Sequence, residues 1–149
     1  MKRWILLVIM AMTLFSACTK EGRILRKENR LIGAWAFEKV FYKADNALFR
    51  DNITHEYRND IVEFFPDYSA IYDDASLRAI FNGEWSLIVD EDYYADASDL
   101  EFFVDAVFFD FINGEDFYLF GSIDRLNRNK MRLEASDRFG RYTFRLRRL

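Results

Sequence analysis

Apolar and polar side chains alternate with a period of two through most of the chain from Leu31 onward, the spacing of strands that bury one face. In the first such segment Leu31, Gly33, Trp35, Phe37 and Phe41 share a face, with Glu38 on the other. Residues 57–65 predict a second strand, Pro66-Asp67 a tight turn, and residues 68–72 a short third strand that Asp73-Asp74 ends. Ala79, Phe81, Gly83, Trp85, Leu87 and Val89 alternate with Arg78, Asn82, Glu84, Ser86 and Asp90 in a fourth. Residues 100–111 and 117–123 predict the fifth and sixth. They are joined through Asn113-Gly114, a pair suited to a two-residue hairpin because both positions tolerate positive φ. Met131, Leu133 and Ala135 mark the seventh strand, and Tyr142, Phe144 and Leu146 the eighth.

Eight strands with mostly short connections predict an all-β domain built as an antiparallel meander. A flat meander leaves two long edges unpaired, and closure removes them. The expected architecture is therefore an antiparallel up-and-down eight-stranded β-barrel. At that size the interior is either filled by side chains or holds one small ligand. Strands five and six depart from simple alternation. Phe102, Val104, Ala106 and Phe108 lie on one face and Phe103, Val107, Phe109 and Phe111 on the other; then Phe117, Leu119 and Ile123 oppose Tyr118 and Phe120. A barrel wall needs one apolar face. The second calls for cover by the N-terminal segment or loops, by a protein partner, or by a second copy of the chain.

The first residues follow another pattern. Lys2 and Arg3 precede a run of 12 mostly apolar residues, Trp4 to Phe15, followed by Ser16, Ala17 and Cys18, the only cysteine. The run is short of the roughly 20 residues that span a bilayer and has the length of a signal-peptide core. Ser16-Ala17-Cys18 resembles a bacterial lipobox, with Phe15 where Leu is usual. The resemblance implies cleavage before Cys18, fatty acylation of its thiol and amino group, and a membrane-anchored product. Thr19 stands where Asp marks inner-membrane retention in enterobacterial lipoproteins, which implies the outer membrane, facing the periplasm or the cell surface. The expected organisation is a signal peptide over residues 1–17, a lipid-anchored tether over 18–30 with a turn or two of helix around Ile24 and Leu25, and the barrel over 31–149.

With Cys18 acylated, no thiol remains for a disulfide, so the fold depends on its core. That core draws on 16 Phe, 8 Tyr and 3 Trp. Charge is uneven: residues 51–122 hold 18 acidic and 2 basic side chains, residues 123–149 hold 9 basic and 3 acidic. The acidic balance argues against nucleic acid as a partner, because that affinity comes largely from neutralising phosphates. The C-terminal Arg residues alternate with apolar ones and are expected on the outer face of the last two strands, meeting acidic neighbours.

Catalytic chemistry is not legible. His55 is the lone histidine, in a polar segment, with no free Cys and no Ser in a nucleophile elbow beside it. Neither a glycine-rich phosphate loop nor His/Cys zinc spacing occurs. The expectation is a protein that is not an enzyme and carries no cofactor or metal. In loop 90–101, Asp90, Asp92, Asp96, Ser98 and Glu101 fall on EF-hand-like ligand positions. Tyr94 and Ala95 break the pattern and the flanks read as strands, so a solvated loop is expected in place of a calcium site.

Gly33-Ala34-Trp35 at the head of the first strand resembles the G-x-W signature of lipocalins. The resemblance implies that Trp35 plugs the closed end of the barrel and that an Arg near the chain terminus, among Arg145, Arg147 and Arg148, packs across it. The expected barrel-closing set is Gly33, Trp35, Arg145 and Arg147. A second G-x-W, Gly83-Glu84-Trp85, continues into Ser86-Leu87. With Ile123-Asp124-Arg125-Leu126, Met131-Arg132-Leu133 and the last strand, it resembles the small lipocalin-like lipoproteins of Gram-negative bacteria. The absence of a disulfide departs from many secreted lipocalins.

What this implies is a lipid-anchored protein holding a small hydrophobic ligand. The open mouth of the barrel would be framed by residues 43–56, 73–77, 112–114 and 137–140. The longest loop would act as a lid carrying Leu48, Phe49 and Ile53. Tyr42, Phe49, Phe37 and Trp85 are the expected ligand contacts. The alternative is a non-catalytic accessory lipoprotein of the outer membrane whose barrel is filled by its own aromatic side chains. It would act through protein contacts or self-association at strands five and six. Cavity volume separates the two, because a ligand site should exceed roughly 300 Å³.

Overall fold

The structure is a computed structural model that describes residues 20–90, 100–114 and 116–149. The signal-peptide and Cys18 assignments lie outside the described residues, as does most of the 90–101 loop. A helix, α1 (Lys20–Leu31), leads into β1 (Gly33–Ala44), β2 (Asp51–Asn52), a 3-10 turn (Thr54–Tyr57) and β3 (Ile61–Phe64). There follow β4 (Ser69–Asp74), β5 (Ala79–Asp90), β6 (Glu101–Phe109), β7 (Phe117–Leu126), β8 (Lys130–Ser136) and β9 (Gly140–Arg148). β1 and β3 to β9 pair antiparallel in chain order, and β9 pairs back onto β1 from Trp35↔Arg148 to Ala44↔Gly140. The expected eight-stranded up-and-down barrel is closed. β2 is a two-residue addition to β1, opposite Phe41 and Tyr42.

Two β-bulges alter the predicted faces. In β1, Phe37 pairs with Leu146 and Lys39 with Arg145, leaving Glu38 as an extra residue. One extra residue inverts the alternation beyond it. Val40 is therefore buried, and Phe41, expected inside, points outward beneath the guanidinium groups of Arg50 and Arg145, 4.3 and 5.5 Å from its ring. In β7 the shift falls between Ile123 and Arg125, with Asp124 as the extra residue, so Ile123 and Leu126 are both buried.

The connections share one device, an Asp or Asn side chain that accepts backbone N–H groups two and three residues ahead. Asn127 Oδ1 accepts from Asn129 and Lys130, Asp137 Oδ1 from Phe139 and Gly140, and Asp110 Oδ1 from Ile112 and Asn113. The last bonds explain a difference from expectation. Asn113-Gly114 is not a two-residue hairpin: Asp110 winds the chain into a helical turn, and Gly114 alone takes positive φ, 72°. β6 and β7 are thus joined through residues 110–116.

α1 is longer than the one or two turns expected. Glu21 in its first turn and Arg30 in its last match the helix dipole. Leu31 is fully buried in the barrel floor, and packing of this kind stabilises a helix too short to persist alone. Above it the lower half of the barrel is solid. Trp35, Val62, Phe64, Trp85, Val104, Leu133 and Leu146 fill it.

Candidate functional site: a cavity at the barrel mouth

The upper half of the barrel is not filled. A cavity of about 340 Å³ opens there, walled by Phe37 from β1, Tyr72 from β4, Phe81 from β5, Phe108 from β6, Phe117 and Leu119 from β7 and Phe144 from β9, with Tyr57 projecting from the 3-10 turn. These residues arrive by simple alternation along each strand. Their rings interlock: Phe81 and Phe117 meet edge-on at 5.0 Å, Phe37 and Phe144 edge-on at 5.8 Å, and Phe108 stacks on Phe117 at 5.1 Å. A second space of about 400 Å³ shares Tyr57, Tyr118, Leu119 and Phe144 and extends toward Asp137 and Tyr142.

Polar groups are few. The Tyr72 hydroxyl donates to Asp60 Oδ2 at 2.6 Å, and the Ala75 N–H donates to Asp60 Oδ1 at 3.0 Å. Asp60 is 1% exposed. Burial raises its carboxyl above the ordinary range, against the two hydrogen bonds, which lower it. Burial and the neighbouring carboxylate raise Tyr72 far above the usual phenol range, and burial pushes Tyr57 up to about 12. Both phenols are neutral at physiological pH. Asp60 also ties the mouth together, since its backbone carbonyl accepts from Phe37 N–H at 3.3 Å. Asp74 and Asp110 stand on the cavity wall, both half-buried.

The opposite end is closed by side chains that satisfy the end of α1. A helix leaves its last four carbonyls without intrahelical partners. Trp35 Nε1 donates to the Leu31 carbonyl at 2.7 Å, and Arg148 donates to the carbonyls of Ile32, at 2.8 Å, and Arg30. The same guanidinium lies over the Trp35 indole, 4.5 Å from the ring centroid. Gly33 makes room for it. At φ +123° it occupies a region that favours glycine, and a Cβ there would sit 2.6 Å from Arg148 Nη1. Eight closed strands, a glycine-led tryptophan at the floor and a terminal arginine across it define the architecture. The fold is a lipocalin-like barrel. Arg145 and Arg147 are not its closing residues. Residues 144, 146 and 148 alternate inward, so Arg145 faces Phe41 outside and Arg147 is exposed.

A solved structure similar to this chain is that of a lipocalin-like protein from Bacteroides uniformis. Identity is 14%, the TM-score is 0.47, and the match covers 80% of this chain and 99% of that one. No family model and no curated protein matches the sequence.

Of the expected ligand contacts in this lipocalin-like barrel, Phe37 lines the cavity. Tyr42 meets Tyr142 at 4.7 Å between ring centroids, the rings tilted by 45°, near the second space. Trp85 lies deeper. It is 3% exposed, packs on Phe64 and Tyr68, and donates to the Phe65 carbonyl at 3.0 Å, so it belongs to the filled half and lines neither of the two spaces. Phe49 is 82% exposed and Leu48 89%. The expected lid does not cover the mouth: residues 51–52 pair back along β1, and the Thr54 hydroxyl bonds to Val40. What this segment brings to the site is Tyr57, read from the sequence as the start of a strand. Ile53 and Tyr57 are the large apolar groups in the polar stretch 51–60, and that contrast was the available signal. His55 is exposed beside Glu56. Among the described residues no cluster of three metal-ligating side chains occurs.

The outer wall carries the remaining charge. Arg132 pairs with Asp124 at 3.2 Å and Glu134 at 2.7 Å, as expected for strand faces that meet acidic neighbours. On the outside of β6 and β7, Phe103 stacks on Phe120 at 5.5 Å, and Tyr118 is 70% exposed. α1 does not cover this face. It sits at the closed end, where Lys27 reaches over Phe102 and Arg30 bonds to the Leu126 carbonyl.

Proposed function

We propose that this protein is a non-catalytic binding protein, anchored to the outer membrane through acylated Cys18, that holds a small hydrophobic molecule in the mouth of its barrel. The observation that carries the reading is the 340 Å³ cavity walled by eight aromatic rings, which reaches the size of a small-molecule site. A filled barrel would have no such space. The lower half of this one is filled and the upper half is not. Native mass spectrometry of the protein released from membranes tests the reading. A bound small molecule, lost in a Leu119→Trp variant that plugs the space, is the expected outcome. A uniformly ligand-free spectrum, with no saturable uptake of any apolar probe, contradicts it.

A second reading has its own observation. The apolar outer face of β6 and β7, with Phe120 50% exposed, suits a protein contact or self-association. A Phe120→Glu variant that loses a self-associated species seen by sedimentation would support it.

A further inference from the structure

We propose that the ligand is a small apolar molecule bearing a positively charged amine, its charge held between the Asp74 and Asp110 carboxylates and the aromatic faces of the cavity. The proposal rests on the ligand-binding reading above and names the chemical class. Among the described residues that line the cavity, the acidic side chains are Asp74 and Asp110, and no Lys, Arg or His stands with them. The adjoining space repeats the pattern with Asp137. An amine entering here meets opposite charge and ring faces together, and both attract a cation.

The absence of a base is not a shortage of bases. Residues 123–149 hold nine of them, but Arg148 is spent at the closed end over Trp35, and strand alternation puts others on the outer wall. Arg125, Lys130, Arg132 and Arg145 line an external groove with Glu38. Arg78 and Arg138 lie on turns at the mouth without lining either space. A fatty acid would therefore bring its carboxylate against two others with no cation to receive it, a repulsion that selects against anionic guests.

The turns do not require the charge. Asp74 Oδ1 accepts from Leu77 N–H and the Ser76 hydroxyl, and Asp110 accepts from Ile112 and Asn113 N–H on Oδ1 and from the Asn113 side-chain amide on Oδ2. Neutral Asn127 makes the same kind of turn at the other end of the barrel. The hydrogen bonds at Asp110 also hold its carboxyl below the ordinary range, so it is ionised at neutral pH.

The test uses the full chain reconstituted in phosphatidylcholine nanodiscs, with empty discs as the blank, titrated calorimetrically with 2-naphthylmethylamine, 2-naphthylmethanol and 2-naphthoate. The amine is expected to bind about tenfold or more tighter than the alcohol, with the carboxylate weakest and the amine's advantage shrinking as salt is added. The Asp74→Asn, Asp110→Asn double variant keeps an acceptor oxygen at each turn. It should lose the amine preference, so that amine and alcohol bind with similar affinity to the variant. Equal binding of amine and alcohol, tighter binding of the carboxylate, or an amine preference that survives in the double variant overturns the proposal and leaves the ligand-binding reading standing. Saturable binding of none of the three overturns both.

Discussion

Arg148 does three things with one side chain. It covers the Trp35 indole and satisfies two carbonyls at the end of α1. Its removal should combine a lost cation–π contact with orphaned carbonyls, a cost of roughly 2–4 kcal/mol. Arg147→Ala, on the exposed face, should stay within about 0.5 kcal/mol. Chemical denaturation of the two variants checks the contrast. Trp35→Ala should cost about 3–5 kcal/mol, because it removes a fully buried ring as well as the bond to Leu31. The G-x-W motif made the glycine and tryptophan legible, but not which arginine. That choice depends on the phase of β9, and with three Arg in the last five residues the pattern alone did not set it. Asp60 was not legible either, since nothing in its neighbourhood distinguishes a buried carboxyl from a loop one. Its raised folded-state value means that it favours folding most when protonated, and that this contribution is lost as pH rises through the folded value. The destabilisation caused by Asp60→Asn should therefore be larger near about pH 4 than near pH 7, read from denaturant midpoints at the two pH values.

At the scale of elements, the period-two pattern was enough to place all eight barrel strands. It failed where one extra residue enters. Glu38 and Asp124 are ordinary polar positions in the sequence, yet each is a bulge that turns the following side chains over. Bulge positions follow from how the sheet must coil to close, which no single strand records. Deleting Glu38 should remove the bulge with Val40 still inside and Phe41 still outside, and lower the melting temperature by far less than deleting Ala36, which lies in regular pairing and whose loss would turn the side chains on one side of it over. Equal melting temperatures for the two variants would contradict the assigned register. α1 was underread because its surface is mostly polar and its apolar contacts are few. Its place in the fold is measurable at Leu31, where truncation to Ala should cost about 2–5 kcal/mol if the helix docks as described, and close to nothing if the segment were a tether.

At the scale of the molecule, the barrel is divided across its length. The closed end is packed solid around Trp35, Phe64 and Trp85, and supplies the stability that a disulfide would otherwise contribute. The mouth is walled by rings that touch one another yet leave a space between them. Composition made an aromatic interior legible. It could not divide those rings between filling and lining, because both roles use the same residue types at the same spacing. Trp85 went to the filled half, Phe37 to the open one, and Tyr57 reached the cavity from a turn. Charge is divided as well, with carboxylates at the mouth and guanidinium groups on the outer wall of β8 and β9.

The account stands most directly on whether that space admits a guest. Titration of the protein with N-phenyl-1-naphthylamine, a neutral apolar fluorophore, measures this in wild type and in Leu119→Trp, whose side chain extends into the space between β7 and Tyr57. The account predicts saturable one-site enhancement of emission for wild type. For the variant it predicts loss of that signal with an unchanged or raised melting temperature. Equal, saturable binding by both proteins, or no binding by either, would contradict it.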